Sequence, residues 1–363
     1  AMGSAGGVLR LVGISNAPVE IASGVRAISA GINTDFFIDD SGTLYGIGWN
    51  GYGQLGDGTT VERNTLVEVD KGVIAVSAAL NHTLYIKEQA EASDSVPVAM
   101  SVRAKVGSGA NILIPGMVFK GTEKTKLIVR GLGPKLAEFN LTGVLNDPEI
   151  EIYSGNIPIV TNDDWQDAPE DLAAYFQEVG LSTLNSGAKD SAAYLELDPG
   201  PYTMHLRGVN NRQGIGLAEV YVVDSGSSDS GLLALSARAE VGAGDRVVIP
   251  GFVITGNGPR RVLIRGVGPG LAGKVPGYLP DPVIEVFRTA DGESTSIAFN
   301  DDWNNYDTDA LKAAFDEIGA GPLVDGSYDA AVLLFLSPGI YTAHIRSYDN
   351  NLGVGLIEMF FLD

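Results

Sequence analysis

The chain has 363 residues, enough for two or three domains, since one hydrophobic core rarely keeps growing past about 250–300 residues. Its 45 acidic and 24 basic residues give a net charge of −21, which repels phosphate backbones and anionic headgroups and sets nucleic acid aside as a partner. With no cysteine, disulfides, thiolate metal sites and thiol nucleophiles are excluded. No apolar run is long enough to cross a membrane as a helix, so no membrane insertion is expected.

The 47 glycines and 17 prolines imply many tight turns and few long helices, which points to an all-β class. Residues 1–7, opening Ala1-Met2-Gly3-Ser4, read as a tag remnant. Residues 8–92 then carry Val25-Arg-Ala-Ile-Ser-Ala-Gly, Asp40-Ser-Gly-Thr-Leu-Tyr-Gly-Ile-Gly-Trp-Asn, Gly53-Gln-Leu-Gly-Asp-Gly-Thr-Thr and Val76-Ser-Ala-Ala-Leu-Asn-His-Thr-Leu. This segment resembles an RCC1-type propeller repeat, with Thr34 where the pattern usually has the histidine retained later as His82. The resemblance covers residues 16–89 and implies one propeller blade or partial blades. Asn16-Ala-Pro-Val-Glu-Ile-Ala-Ser-Gly-Val reads as the tail of a preceding repeat, so a fragment of a longer protein is expected.

Beyond residue 95 the sequence repeats itself. Ser101-Val-Arg-Ala-Lys-Val-Gly, Ile114-Pro-Gly and Arg130-Gly-Leu-Gly-Pro return 135 residues later as Ser236-Ala-Arg-Ala-Glu-Val-Gly, Ile249-Pro-Gly and Arg265-Gly-Val-Gly-Pro. Asn162-Asp-Asp-Trp returns as Asn300-Asp-Asp-Trp, and Asp190–Tyr221 as Asp329–Phe360. Two modules, 96–224 and 231–363, are therefore expected, with a polar linker at 225–230. Short apolar runs between Gly, Pro, Asn and Asp clusters predict strands, and hence tandem β-sandwich, jelly-roll-like domains. Leu172, Phe176 and Val179, and again Leu311, Phe315 and Ile318, have helical spacing, which predicts one short helix per module. Asp167 and Glu170 are spaced as a capping box, and Gly180 and Gly319 supply the stops.

The doubled acidic loop is the candidate for chemistry. Asn162, Asp163, Asp164, Asn300, Asp301 and Asp302, with Asp190 and Asp329 near later strand starts, offer hard oxygen ligands of the kind Ca²⁺ takes. An Asx-turn over a packed tryptophan explains the same residues without a metal. Trp165 and Trp303, with Tyr153, Tyr306, Tyr328 and Tyr348, are candidate platforms for sugar rings. His205 and His344 alternate with Tyr202 and Tyr341 along a strand and read as structural rather than catalytic. Arg130 and Arg265 read as internal partners of acidic turn residues.

The acidic loop and the terminal Pro199-Gly-Pro-Tyr-Thr-Met-His-Leu-Arg and Pro338-Gly-Ile-Tyr-Thr-Ala-His-Ile-Arg strands are similar to bacterial pre-peptidase C-terminal domains. Those are β-sandwich modules of secreted enzymes, some linked to calcium. No His-Glu-Xaa-Xaa-His or Gly-Xaa-Ser-Xaa-Gly motif is present, and neither Gly-Xaa-Gly turn sits in a nucleotide-binding context. The expectation is a monomeric, non-catalytic fragment of a large secreted or cell-surface bacterial protein that binds a polysaccharide or cell-surface glycan, with neighbouring domains as further partners. A purely structural spacer and a glycosidase using paired carboxylates are the alternatives.

Overall fold

In the computed structural model the described residues are 7–11, 19–79, 81–87, 95–169, 171–225, 231–305 and 307–362. Residues 1–6 of the expected tag, 226–230 of the expected linker, Glu170 and Tyr306 lie outside them. The chain divides into two units, Ala1–Glu91 and Ala92–Asp363. The all-β class holds in both.

The first unit is an antiparallel sheet in the order β1 (Gly7–Leu11), β2 (Val19–Ala30), β3 (Thr34–Asp39), β4 (Leu44–Gly48) and β5 (Arg63–Asp70). A hairpin of β6 (Val73–Ala78) and β7 (Thr83–Lys87) follows. The β2–β3 and β6–β7 turns close with the same bond, Gly31 N to Thr34 O at 2.7 Å and Ala79 N to His82 O at 3.0 Å. The hairpin is thus a second start of the same repeat. Phe36, Ile38, Leu44, Leu55 and Val73 form its core.

The Gly-Gln-Leu-Gly-Asp-Gly-Thr signature is the loop between β4 and β5, and its polar residues satisfy one another. Buried Asn50 donates to Asp57 Oδ1 (3.0 Å) and Thr59 O (2.8 Å) and accepts from Leu55 N (2.9 Å), which holds Leu55 in the core. Asp57 also receives Thr59 and Arg63. Desolvation pushes its carboxyl up, but these hydrogen bonds outweigh it and bring the pKa down to about 2.

In the second unit, repeat 1 supplies β8 (Val96–Val106), β9 (Ile114–Lys120), β10 (Thr125–Leu132), β11 (Pro148–Ser154), β12 (Ile157–Asn162), β13 (Ser191–Leu197), β14 (Gly200–Gly208) and β15 (Gly214–Asp224). Repeat 2 supplies β16 (Gly231–Val241), β17 (Ile249–Thr255), β18 (Arg260–Val267), β19 (Pro282–Ala290), β20 (Glu293–Asn300), β21 (Ala330–Leu336), β22 (Gly339–Ser347) and β23 (Gly353–Leu362). The strands form two eight-stranded sheets, β13-β10-β15-β8-β17-β22-β19-β20 and β12-β11-β14-β9-β16-β23-β18-β21. Each repeat contributes four strands to each sheet, so the two sandwich halves are continuous through their backbones.

The joins are β8 with β17 and β9 with β16, and they are equivalent under the 135-residue offset. Ser101 pairs with Gly251 and Arg103 with Ile249; Ser236 pairs with Gly116 and Arg238 with Ile114. The recurring Ile-Pro-Gly now has a cause. A Cβ on Gly116 would lie 2.5 Å from Ser236 Oγ, and one on Gly251 would lie 2.9 Å from Ser101 Oγ. One core runs between the sheets, and it mixes residues of both repeats, among them Met117, Phe119 and Leu206 with Leu232, Phe252 and Phe361.

Each repeat has its helix, α1 (Leu172–Glu178) and α2 (Thr308–Ile318), covering the outer face of a sheet end. Leu172 and Phe176, and Leu311 and Phe315, are buried as their spacing predicts. The cap differs from the capping box expected at Asp167: Asp171 and Asp307 accept the backbone N–H of Ala174 and Ala310. Gly180 and Gly319 end the helices at φ 71° and 67°, a region that favours glycine.

Candidate functional site

The acidic loop leaves β12 or β20 and reaches back to the Gly-Xaa-Gly-Pro turn. In repeat 1, Asn162 Nδ2 donates to Asp164 O at 2.9 Å and its Oδ1 accepts from Ala192 N at 2.9 Å. In repeat 2, Asn300 does the same with Asp302 O and Ala331 N. Fully buried Asp190 accepts Gly133 N at 2.8 Å and Lys135 N at 3.1 Å, and fully buried Asp329 accepts Gly268 N, Gly270 N and Ser327 Oγ. Each Asp thus ties a glycine turn to the strand behind it. Burial pushes the Asp190 carboxyl up, against the lowering effect of those amides, Arg130 and Lys135.

These bonds correct the expected ligand set. Asn162, Asn300, Asp190 and Asp329 spend oxygens on backbone amides and a hydroxyl, and so hold the fold. The acidic group that converges is Asp163, Asp164 and Asp167, each with an oxygen within 4.8 Å of the others. Among the described residues Asp164 Oδ1 is buried without a hydrogen-bond partner, while its Oδ2 meets Lys189 Nζ at 2.5 Å. Asp302 Oδ1 in repeat 2 is likewise buried and unpartnered.

The expected stacking role of Trp303 is corrected too. Trp303 is fully buried; its indole N–H donates to Val324 O and its ring packs against Phe315, so it has no free face. Trp165 is half-buried and donates to Asn185 O. Tyr348 is 59 % exposed.

His205 and His344 lie on the outer faces of opposite sheets, opposite Glu151 and Glu285 in register and against the rings of Tyr153 and Phe287. Burial lowers both imidazoles. Glu151 opposes this for His205, with Arg207 and Arg238 adding to the lowering; for His344, Arg103 adds to it and Glu285 opposes it. Neither has a hydrogen-bonded nucleophile or carboxylate among the described residues. Arg130 is buried against Glu219, with Nη2 to Oε2 at 2.6 Å, and Arg265 faces Glu358 at 3.2 Å. Both arginines also hold a backbone carbonyl, of Ser182 and Gly321.

What distinguishes the repeats is the loop end around the acidic residues. In repeat 1, Asp147 pairs with Arg212 and Asp164 with Lys189. The aligned positions in repeat 2 read Asp281 with Asn351, and Asp302 with Tyr328, so both cations are gone. Asn210 becomes Asp349, while Val144 and Val209 become Tyr278 and Tyr348. The result is a group of carboxylates, Asp281, Asp301, Asp302 and Asp349, without a paired cation among the described residues, and three tyrosines, Tyr278, Tyr328 and Tyr348, that are 36 %, 58 % and 59 % exposed.

Ser347 Oγ and the backbone N–H and side chain of Asn351 hold Asp349 below the usual carboxylate range, so it stays ionised. Desolvation, then the charges of Asp302, Asp349 and Asp301, push Asp281 up to about 6. Tyr348 is anchored beside it through its backbone N–H, which donates to Asp281 O at 2.9 Å. Of this group the sequence reading had Asp301, Asp302, Tyr328 and Tyr348. It lacked Asp281, Asp349 and Tyr278, whose signal is a difference between the repeats: for Asp281, which matches Asp147, the loss of the cation at Asn351.

Comparison with protein families matches residues 41–86 to the regulator of chromosome condensation (RCC1) repeat, so an RCC1 repeat is present there. No curated protein sequence matches the chain. Among solved structures, the chain is similar to a DUF4785 family protein from Legionella pneumophila subsp. pneumophila str. Philadelphia 1. Identity is 9 %, over 76 % of this chain and 84 % of that one, with a TM-score of 0.17.

The raised Asp281 pKa has a definite sign. The folded state holds a proton that the unfolded state releases between 3.8 and about 6, so this group's contribution to stability falls as pH rises through that window. Asp281→Asn is expected to raise Tm at neutral pH, with a gain that shrinks to nothing below pH 4. Melting curves of both proteins across that range check it; a Tm loss at pH 7 contradicts it.

Proposed function

We propose that the loop end of repeat 2 binds a glycan, and that the chain is a non-catalytic part of a large secreted or cell-surface bacterial protein. The observation carrying this reading is the replacement of Arg212 and Lys189 by Asn351 and Tyr328. It leaves carboxylates free to accept hydrogen bonds from sugar hydroxyls, beside exposed tyrosines that can meet the apolar face of a sugar ring. A cluster of this charge favours neutral or amino sugars over acidic ones. The similarity of the acidic loop and terminal strands to pre-peptidase C-terminal domains supports a module of a secreted protein. In this reading repeat 1, with its cations in place, is structural, and the RCC1 repeat is a scaffold for neighbouring domains.

Affinity electrophoresis in gels carrying neutral and amino-sugar polysaccharides tests it. Retardation is expected, with affinity falling about tenfold or more in Tyr348→Ala combined with Tyr328→Ala, and unchanged in Asp147→Asn. No retardation on a broad panel contradicts the proposal. Release of reducing ends that disappears in Asp281→Asn would replace binding with hydrolysis by paired carboxylates.

Calcium belongs to the same proposal at a different place. Asp163, Asp164 and Asp167 would hold the ion, and the unpartnered Asp164 Oδ1 is an oxygen suited to it. A ligand of the native state stabilises it by mass action, so a chelator is expected to lower Tm and added Ca²⁺ to restore it, less so in Asp163→Asn. A melt indifferent to both removes calcium from the account.

A further inference from the structure

A separate cleft of about 360 Å³ opens on the outer face of the first sheet, where the repeats join. Its floor crosses the seam, with Ser101 and Arg103 from β8 and Thr342 from β22. One wall is the turn after the Gly-Xaa-Gly-Pro of repeat 1, which presents Leu136, Phe139 and Leu141. We propose that this cleft binds a small organic carboxylate, with its carboxylate on Arg103 and its aliphatic or aryl body against Leu136, Phe139 and Leu141.

The charge pattern selects the headgroup. Arg103 is half-buried and has no ion pair or hydrogen bond among the described residues. The other charges of the cleft are spoken for. Glu219 gives Oε2 to Arg130 and Oε1 to Tyr221, and Lys135 Nζ is held by Glu138 Oε2 at 2.8 Å and Thr183 O at 3.3 Å. Arg103 is therefore the group in the cleft with unmet donors, and a guanidinium meets a carboxylate with two parallel hydrogen bonds. The hydroxyls of Ser101 and Thr342 supply further donors. Desolvation alone lowers the guanidinium pKa, consistent with a charge that lacks a counter-ion.

Shape and symmetry select the body. A cleft of this size matches a small ligand that buries most of its surface. Phe139 is 64 % exposed among the described residues. The pseudo-symmetric position in the other sheet has the equivalent arginine, Arg238, but Gly270 and Lys274 stand where repeat 1 has Lys135 and Phe139. The 3₁₀ segment there is also shorter, Pro269–Leu271 against Pro134–Phe139. The apolar wall therefore belongs to the Arg103 side.

Isothermal titration of the full chain with phenylbutyrate, hexanoate, phenylbutanol and inorganic phosphate tests the site. Saturable binding of both carboxylates is expected, with phenylbutanol at least about tenfold weaker and phosphate unable to displace phenylbutyrate. Arg103→Gln should weaken phenylbutyrate about tenfold or more, and Arg238→Gln should leave it unchanged. Should Arg103→Gln fail to fold, Phe139→Ala at the exposed wall provides the same reading through weaker binding of phenylbutyrate. The proposal is overturned by absence of saturable carboxylate binding, equal binding of phenylbutanol, displacement by phosphate, an equal effect of Arg238→Gln, or unchanged affinity in Phe139→Ala.

Discussion

The second unit depends on the pairing of β8 with β17 and of β9 with β16. Without it each repeat would be a pair of four-stranded sheets, each with one exposed edge on β8, β9, β16 or β17, and open edges invite unwanted pairing. The exchange covers all four with one another. It also explains a detail that secondary-structure propensity does not: a glycine faces a serine across each seam, because a Cβ at the glycine would run into the serine hydroxyl. With the sheets continuous, one core serves both repeats, and Phe252 of repeat 2 packs in the same cluster as Phe119 of repeat 1.

Most of what the duplicated motifs do is hold this frame. Asp190 and Asp329 fasten the glycine turns, Asn162 and Asn300 fasten the loop to the next strand, and Arg130 and Arg265 tie the sheet face to the segment after each helix. A buried carboxylate accepting backbone amides is costly to lose, because the amides are then left unsatisfied. That cost accounts for identical residues at both sites without a shared ligand. Departures from the duplication mark the places where the repeats differ in chemistry: the uncompensated carboxylates and tyrosines of repeat 2, and the longer apolar turn of repeat 1.

The all-β class, the two repeats, the helix faces and the RCC1 repeat were all legible in the sequence, since each rests on local periodicity or on a repeated string. The seam was not. An offset of 135 residues establishes which residues are equivalent, and it is the same whether two sandwiches stand apart or share their sheets. The doubled Asn-Asp-Asp-Trp drew attention as a site because its residue types suit metal and sugar. Only coordinates separate Asp190, whose oxygens face backbone amides, from Asp164, one of whose oxygens faces none. Asp281 went unnoticed although it repeats Asp147, and Asp349 because it stands where repeat 1 has Asn210; aligning Arg212 with Asn351 reveals the lost cation.

Amide hydrogen exchange on the intact chain tests the central structural claim most directly. If the repeats are one body, the ladder amides of β8 against β17 and of β9 against β16 should exchange as slowly as those of β15 against β8 or β16 against β23, because opening the seam would require opening the shared core. Fast exchange confined to the two seams, with slow exchange inside each repeat, would show two separately folded sandwiches and contradict the account.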